Sequence, residues 1–303
     1  MRKWKAQPTP RVWLAVILMI ITAAGSGFFF VEVAQALRVP IEAWAINLNL
    51  YLRFLAGVAL LIVTALVAYR VAAALTLSYG LDRNGFYIFW LGNRMVVPLG
   101  QIESIESSAA VADRVGLSHS LGYFYGSFKL PSGKIAQRFS TRPTKQAIML
   151  QTSSDAYIIT PNNTDTFVQE LEQRQRIGVI QQLTLGVEAG RFFSYAFWDD
   201  RVVRQALVLA FSLSLILLGW LAAIYPQLPP MIDLRTNAAG EASVLSPRHQ
   251  ILFLPLAAFA TLLINAGLGI TLYLRTPLGA RMLQMASAMI QLLFAVAVLT
   301  IVR

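Results

Sequence analysis

Five long apolar stretches constrain this chain more than any other feature. An α-helix needs about 20 apolar residues to cross a hydrocarbon core about 30 Å thick, because lipid offers no hydrogen-bond partner to an exposed N–H or C=O. The run 12–31 carries no charge between Arg11 and Glu32, and 54–69 continues past Arg70 to Leu77. The runs 205–225, 251–274 and 282–302 complete the set. With 56% hydrophobic and 13% charged residues, against roughly a quarter charged in ordinary soluble domains, the chain is expected to be an α-helical integral membrane protein with about five transmembrane helices. Arg70 is expected to snorkel to the interface, and the last two runs to form a hairpin.

The net charge of +10 comes from 25 Lys and Arg against 15 Asp and Glu. Between 79 and 204 the two signs nearly balance, so the excess flanks the apolar runs. Such residues read as membrane anchors and argue against nucleic acid as a partner. Basic residues favour the cytoplasmic side, and Arg2, Lys3, Lys5 and Arg11 therefore place the N-terminus inside. Five alternating spans then make the segment between the second and third spans cytoplasmic, as well as the turn from Arg275 to Arg281. Loops 32–50 and 226–249 fall outside, and Arg303 alone disagrees. A cleaved signal peptide competes for the N-terminus, but Phe28, Phe29, Phe30 and Val31 carry the apolar run past the small residues Ala23 to Gly27, which favours an uncleaved span.

From Leu75 the pattern changes to short alternations punctuated by turn residues, the mark of paired strands. Stretch 75–81 pairs with 86–91 around Asp82-Arg83-Asn84-Gly85, where Asn-Gly suggests a tight hairpin with positive φ angles. Gly92-Asn93-Arg94 turns into 95–99, and 101–107 continues extended. Hairpins are expected between 123–130 and 135–140 across Pro131-Ser132-Gly133-Lys134, and between 147–151 and 157–160. After Pro161 the period becomes helical, with Thr164 or Asp165 as cap and Phe167, Val168 and Leu171 on one face.

The order of these hairpins, the run Tyr79-Gly80-Leu81-Asp82 with Gly85, the stretches PLGQIESI (98–105) and YFYGSFKL (123–130), and Ile158-Ile159-Thr160-Pro161 leading to Phe167 to Leu171 resemble bacterial pleckstrin-homology (PH) domains of membrane proteins. The resemblance implies an inserted α+β domain, an antiparallel bent sheet or barrel of seven strands closed by a C-terminal helix. A weaker resemblance links the 225–274 region, with Tyr225 to Pro229 and Asn237 to Glu241, to an uncharacterised bacterial membrane segment found in some toxin-immunity proteins. That segment's Pro-x-His-Phe stretch is replaced here by Asp233-Leu234-Arg235-Thr236.

Chemistry is sparse. There is no cysteine, so disulfides, thiol catalysis and thiolate metal sites are excluded. His119, in a Ser- and Gly-rich loop, and His249, at a membrane boundary, read as surface residues, and two isolated histidines make no metal site. Glu103 and Glu106 have opposite parity on a strand and do not converge. Asp199 and Asp200, beside Arg201 and Arg204, read as a solvated helix start. Asn162-Asn163-Thr164 matches a glycosylation acceptor but falls in the segment expected to be cytoplasmic. Gly116, Gly122 and Gly126 are too widely spaced for a phosphate loop. Within the spans Asn265, Gln284 and Gln291 read as interhelical hydrogen-bonding residues, Ala266, Gly267 and Gly269 as a close-packing face, and Arg53 lies near a span end.

The expected layout is two N-terminal spans in 1–74, a PH-like domain in 75–176, a connecting segment 177–204, and three C-terminal spans in 205–303. The aromatics Phe192, Phe193, Tyr195, Phe197 and Trp198, with Arg191 and Arg201, make 177–204 either an interfacial amphipathic stretch or a continuation of the preceding helix. Catalytic, cofactor and metal sites are all expected to be none. The expected function is a membrane-anchored binding or regulatory protein whose cytoplasmic domain recognises a protein, a peptide or a membrane surface. Its partners would be the lipid bilayer and a protein or second copy. The alternative is a transporter or toxin-resistance protein that this domain regulates. PH-type domains can bind phosphoinositides through a basic first hairpin loop, whereas here that loop sets Arg83 against Asp82.

Overall fold

The structure is a computed structural model, and it describes residues 1–107, 121–178, 181, 183–188, 197–198, 200–236 and 242–302. In chain order the elements are β1 (Arg2–Lys5), α1 (Arg11–Ala36), α2 (Leu48–Thr76), β2 (Ser78–Leu81), β3 (Gly85–Trp90), β4 (Asn93–Pro98), β5 (Ile102–Ser107), β6 (Phe124–Lys129), β7 (Ile135–Ser140), β8 (Ile148–Thr152), β9 (Asp155–Ile159), α3 (Thr164–Ile177), β10 (Gly186–Glu188), α4 (Arg201–Ile224), β11 (Met231–Thr236), β12 (Ala242–Pro247), α5 (Phe253–Tyr273) and α6 (Pro277–Val302). Among the described residues five helical segments are long and apolar enough to cross a membrane: Arg11–Ala36, Leu48–Thr76, Arg201–Gln227, Arg248–Tyr273 and Pro277–Val302. Their outward faces carry exposed side chains such as Ile17, Leu66, Ile216, Leu263 and Leu293. Water would penalise such faces, whereas lipid tails are as apolar as they are.

The chain forms two compact units, one of Met1–Ala24 with Leu61–Phe193, the other of Gly25–Leu60 with Ser194–Arg303. The first holds two five-stranded sheets, in the orders β1-β2-β3-β4-β10 and β5-β8-β9-β7-β6. Among the described residues eight strands, β2 to β9, fall where the resemblance implies seven, and β7 pairs with β9 in parallel. The hairpins β6–β7 and β8–β9 form as the turn residues suggest. The first hairpin forms too, by other means than Asn-Gly. The Asp82 carboxylate accepts from the N–H groups of Asn84 (2.8 Å) and Gly85 (2.9 Å), so the side chain closes the turn. Positive φ angles occur at Leu91 (48°) and Gly92 (79°) instead, in the two-residue loop between Trp90 and Asn93. Leu75 and Thr76, expected in a strand, end α2.

Two strands of this unit were not anticipated. β1 pairs antiparallel with β2, from Arg2 opposite Leu81 to Lys5 opposite Ser78. β10 pairs with β4. The described stretch 183–188 is thus not a continuation of α3. That helix ends at Ile177, and Gly178 has a φ of 85°, which favours glycine. Residues 191–193 and 195 lie outside the described residues. α3 starts after Asn163, with no side-chain cap from Thr164 or Asp165. The core of this unit joins Tyr79, Phe86, Trp90, Phe139, Tyr157, Phe167 and Leu171 with Val12 and Ala15 of α1 and Val67, Val71, Ala73 and Ala74 of α2.

In the second unit the buried residues of α4 follow a heptad, Val203, Ala206, Ala210, Ser214, Leu217 and Leu221, and those of α6 run Ala280, Gln284, Ser287, Gln291 and Val298. Small residues at such seams let helix backbones approach closely. On α1 and α2, Ser26 Oγ donates to Gly57 O at 2.9 Å. The connection between α4 and α5, expected as a plain loop, contains the β11–β12 hairpin.

Candidate functional site

The joint between the N-terminal segment and the sheets is built from residues far apart in sequence. Trp4 is buried, with its ring edge-on to Phe167 at 5.3 Å and 87°. Arg2 pairs with Glu170, which also accepts from Arg174 at 2.6 Å. The Arg174 hydrogen bond, opposed by partial burial and aided by the charges of Arg174 and Arg2, holds the Glu170 carboxyl below the usual carboxylate range. Lys3 places its ammonium 4.9 Å from the Phe89 ring centroid. Arg2 and Lys3, expected as membrane anchors, are therefore engaged by the domain, because alternation along a strand hands one face of β1 to the core and the other to the sheet surface.

Beyond β1 the backbone is pinned further. Gln7 N–H donates to Thr160 O (2.9 Å), Thr141 Oγ1 donates to Gln7 O (2.6 Å), and Arg142 donates to Pro8 O (2.7 Å). Gly122, at φ 82°, lets the chain pass α1. A Cβ there would lie 2.9 Å from Val12 Cγ2 and 3.0 Å from Val12 N. At the end of α2, Thr76 Oγ1 accepts from Leu91 N–H at 3.0 Å. In the first hairpin loop Asp82 also accepts from Tyr87 OH at 2.9 Å, so it is committed to the turn and Arg83 is the loop's one basic residue.

The other polar concentration is a column between α5 and α6. Gln284 Nε2 donates to Asn265 O (2.8 Å), Asn265 Nδ2 to Ser287 Oγ (2.9 Å), and Gln291 Nε2 to Ala258 O (2.7 Å). This is the interhelical bonding expected of these three residues. Gln284 packs directly on Gly269, where any Cβ would collide with its amide, whereas Gly267 faces open space. The carbonyl oxygens of Gln284 and Gln291 and the hydroxyl of Ser214 are buried with no hydrogen-bond partner among the described residues.

Asp200 is a helix start but not a solvated one, its side chain being 3% exposed. It caps α4 by accepting from Val202 N–H (2.9 Å) and Val203 N–H (3.3 Å), and it takes Arg281 Nε (2.7 Å) and Tyr273 OH (2.9 Å). Burial alone would raise its pKa, but these four donors outweigh it and lower the carboxyl to about 2. The end of α5 and the start of α6 converge on this group and shut out water. Sequence distance conceals that meeting.

The remaining candidates stay apart. Glu103 pairs with Lys134 (3.1 Å) and Glu106 accepts from Ser104 (3.0 Å). Arg53 pairs with Glu32 at 3.2 Å. Asn162 and Asn163 are exposed ahead of α3. His249 borders an apolar groove of about 570 Å³ together with Ile41, Trp44, Phe253 and Ile301. His119, Gly116 and Asp199 lie outside the described residues. Among the described residues no group of three or more His, Asp or Glu side chains is gathered to hold a metal ion.

No curated protein and no solved structure matches this chain. Residues 77–175 match the family described as the bacterial PH domain, and the chain therefore carries such a domain over that segment, beside five helices of membrane-spanning length among the described residues.

Proposed function

We propose that the protein is a membrane-anchored binding and regulatory protein, without catalytic activity, whose PH domain recognises a protein or peptide on the cytoplasmic side. The observation that carries this reading is the mounting of the domain. Its core includes side chains from the ends of both flanking helices, so it is held as a fixed platform beside the bilayer. The layout used is two spans up to residue 74, the domain in 75–176, a connection through 204, and three spans from 205. The pairing of β1 with β2 supports an even number of crossings between them, and the basic residues around Arg11 and from Arg275 to Arg281 support a cytoplasmic side. Strand β6 ends its sheet, paired among the described residues only with β7, and offers an edge for strand addition by an extended peptide.

Two measurements test this. Topology reporters inserted at Ser132 and at Gly240 should report opposite sides, with Ser132 inside, and Ser132 outside would sink the orientation. A photoreactive residue replacing exposed Ser127 should crosslink one discrete partner in cells, while the same residue at Lys145 should not.

The buried column of Asn265, Gln284 and Gln291, with its two unmatched carbonyls, favours transport as the second reading. Replacing Gln284 and Gln291 by Leu should leave a binding protein's crosslink intact. Loss of a solute flux in reconstituted vesicles would instead support the transporter.

A further inference from the structure

Strand β10 is short for the edge it occupies. It sets Gly186 to Glu188 against Val96 to Arg94, three of the six residues of β4. The residues ahead of it dock as an extended strap. Gln181 N–H donates to Asn84 Oδ1 at 3.1 Å, so the first hairpin loop takes up a backbone group of the strap. Leu183 lies over Gly85, where a Cβ would come within 2.8 Å of its Cδ1, and Leu185 packs against the core of the domain. Thr184 between them is exposed, as alternation along an extended chain requires. The groove thus consists of a hydrogen-bond acceptor, a slot floored by glycine, a second apolar slot two residues on, and a strand edge. A sheet edge takes up an extended peptide with these same parts, main-chain bonds giving affinity and pockets for alternate side chains giving specificity.

The strap holds this groove lightly. Val187 is 51% exposed, a Cβ at Gly186 would meet nothing within 4 Å, and Leu183 and Leu185 are only partly buried. A segment with so few buried contacts belongs to the part of a protein that opens first. We infer that the groove along Asn84, Gly85 and β4 is a docking site for an extended Leu-x-Leu segment of a partner protein, and that residues 181–188 occupy it as an internal stand-in which the partner displaces. The stand-in itself defines the occupant, because the two slots accept leucines two residues apart and the β4 edge accepts the strand that follows them. The inference extends to a second edge, and rests on, the reading of the domain as a module that recognises a protein or peptide.

The probe is a fluorescein-labelled peptide with the sequence of residues 181–188, its binding to the full chain in neutral detergent being followed by fluorescence anisotropy. In the wild-type chain the peptide meets only the molecules whose strap is open, which weakens the apparent affinity by that fraction. The double variant Leu183→Asp with Leu185→Asp is altered on the strap alone and should bind the peptide about tenfold more tightly than the wild type, or better. Val187→Pro removes a strand N–H from β10. It should shift affinity in the same direction, which guards against a folding defect in the double variant. Adding Gly85→Ala to the double variant should weaken the peptide by about tenfold with an unchanged circular dichroism spectrum, because the new Cβ fills the leucine slot. A peptide with both leucines replaced by Asp should not bind. No gain in the strap variants, full binding after Gly85→Ala, or equal binding of the Asp peptide would each overturn the inference. The Ser127 crosslink reports on the β6 edge alone. A crosslink without peptide binding would leave the recognition reading standing and sink the groove, whereas peptide binding without a crosslink would sink the β6 edge.

Discussion

Asp200 shows how much one side chain can gather. It starts α4 and ties down Tyr273 and Arg281. Because its folded pKa is depressed, its contribution is complete above the unfolded value of about 4 and is lost as pH falls through about 2. The thermal midpoint of the detergent-purified chain should therefore drop across that window. Asp200→Asn keeps a good helix cap while removing the charge, and should lower stability near neutral pH and flatten the acid drop. An unchanged acid profile in the variant would show that other groups govern it. The sequence marked Asp200 as a helix start, since an acid before an apolar run is a local signal. That Arg281 and Tyr273 close over it depends on three helix ends meeting, which no local pattern records.

At the scale of elements, β1 is the clearest addition to what the sequence suggested. Arg2-Lys3-Trp4-Lys5 sets one aromatic among charges, which suits a short strand with one buried position, but four residues ahead of an apolar run read equally well as a basic membrane flank. Only the presence of a sheet edge in reach, at β2, decides between them. Trp4→Ala should cost about 3 kcal/mol by opening a cavity against Phe167. Lower denaturation midpoints with an unchanged helix signal would be the expected record, and a shift under about 1 kcal/mol would mean that β1 is a loose strand. Hairpins β6–β7 and β8–β9 were legible because turn residues and alternation agree there. The first hairpin was legible for a partly different reason, since Asp82 replaces the positive φ angles that Asn-Gly suggested. The helical column behaves likewise. Asn265, Gln284 and Gln291 stood out as polar residues in apolar runs, yet the fit of Gln284 on Gly269 needs the helices in register.

For the whole molecule, the limits of the family match and the limits of the folded unit differ. Residues 77–175 carry the family pattern, but the core they share includes Trp4, Val12, Ala15, Val67, Val71, Ala73 and Ala74. Cutting the chain at the family boundaries would expose that apolar surface and leave the β2 edge unpaired. A fragment of 77–175 should melt earlier and aggregate more readily than the same fragment with residues 1–8 fused through a flexible linker, as read by circular dichroism and light scattering. Equal behaviour of the two fragments would show that the domain is independent of its N-terminal strand. Composition and span length exposed the membrane class, and strand order exposed the PH domain. The sharing of a core between them stayed hidden because amphipathic patterns describe one element at a time.

The pairing of Arg2 with Leu81 also sets an order of events during synthesis. β1 leaves the ribosome before either of the first two spans, while β2 emerges only after both. The early strand must wait, unpaired, until the helical hairpin has been inserted with both ends on one side. Closing the sheet therefore requires both crossings, because a chain in which only one of the two spans has crossed leaves β1 across the bilayer from its partner.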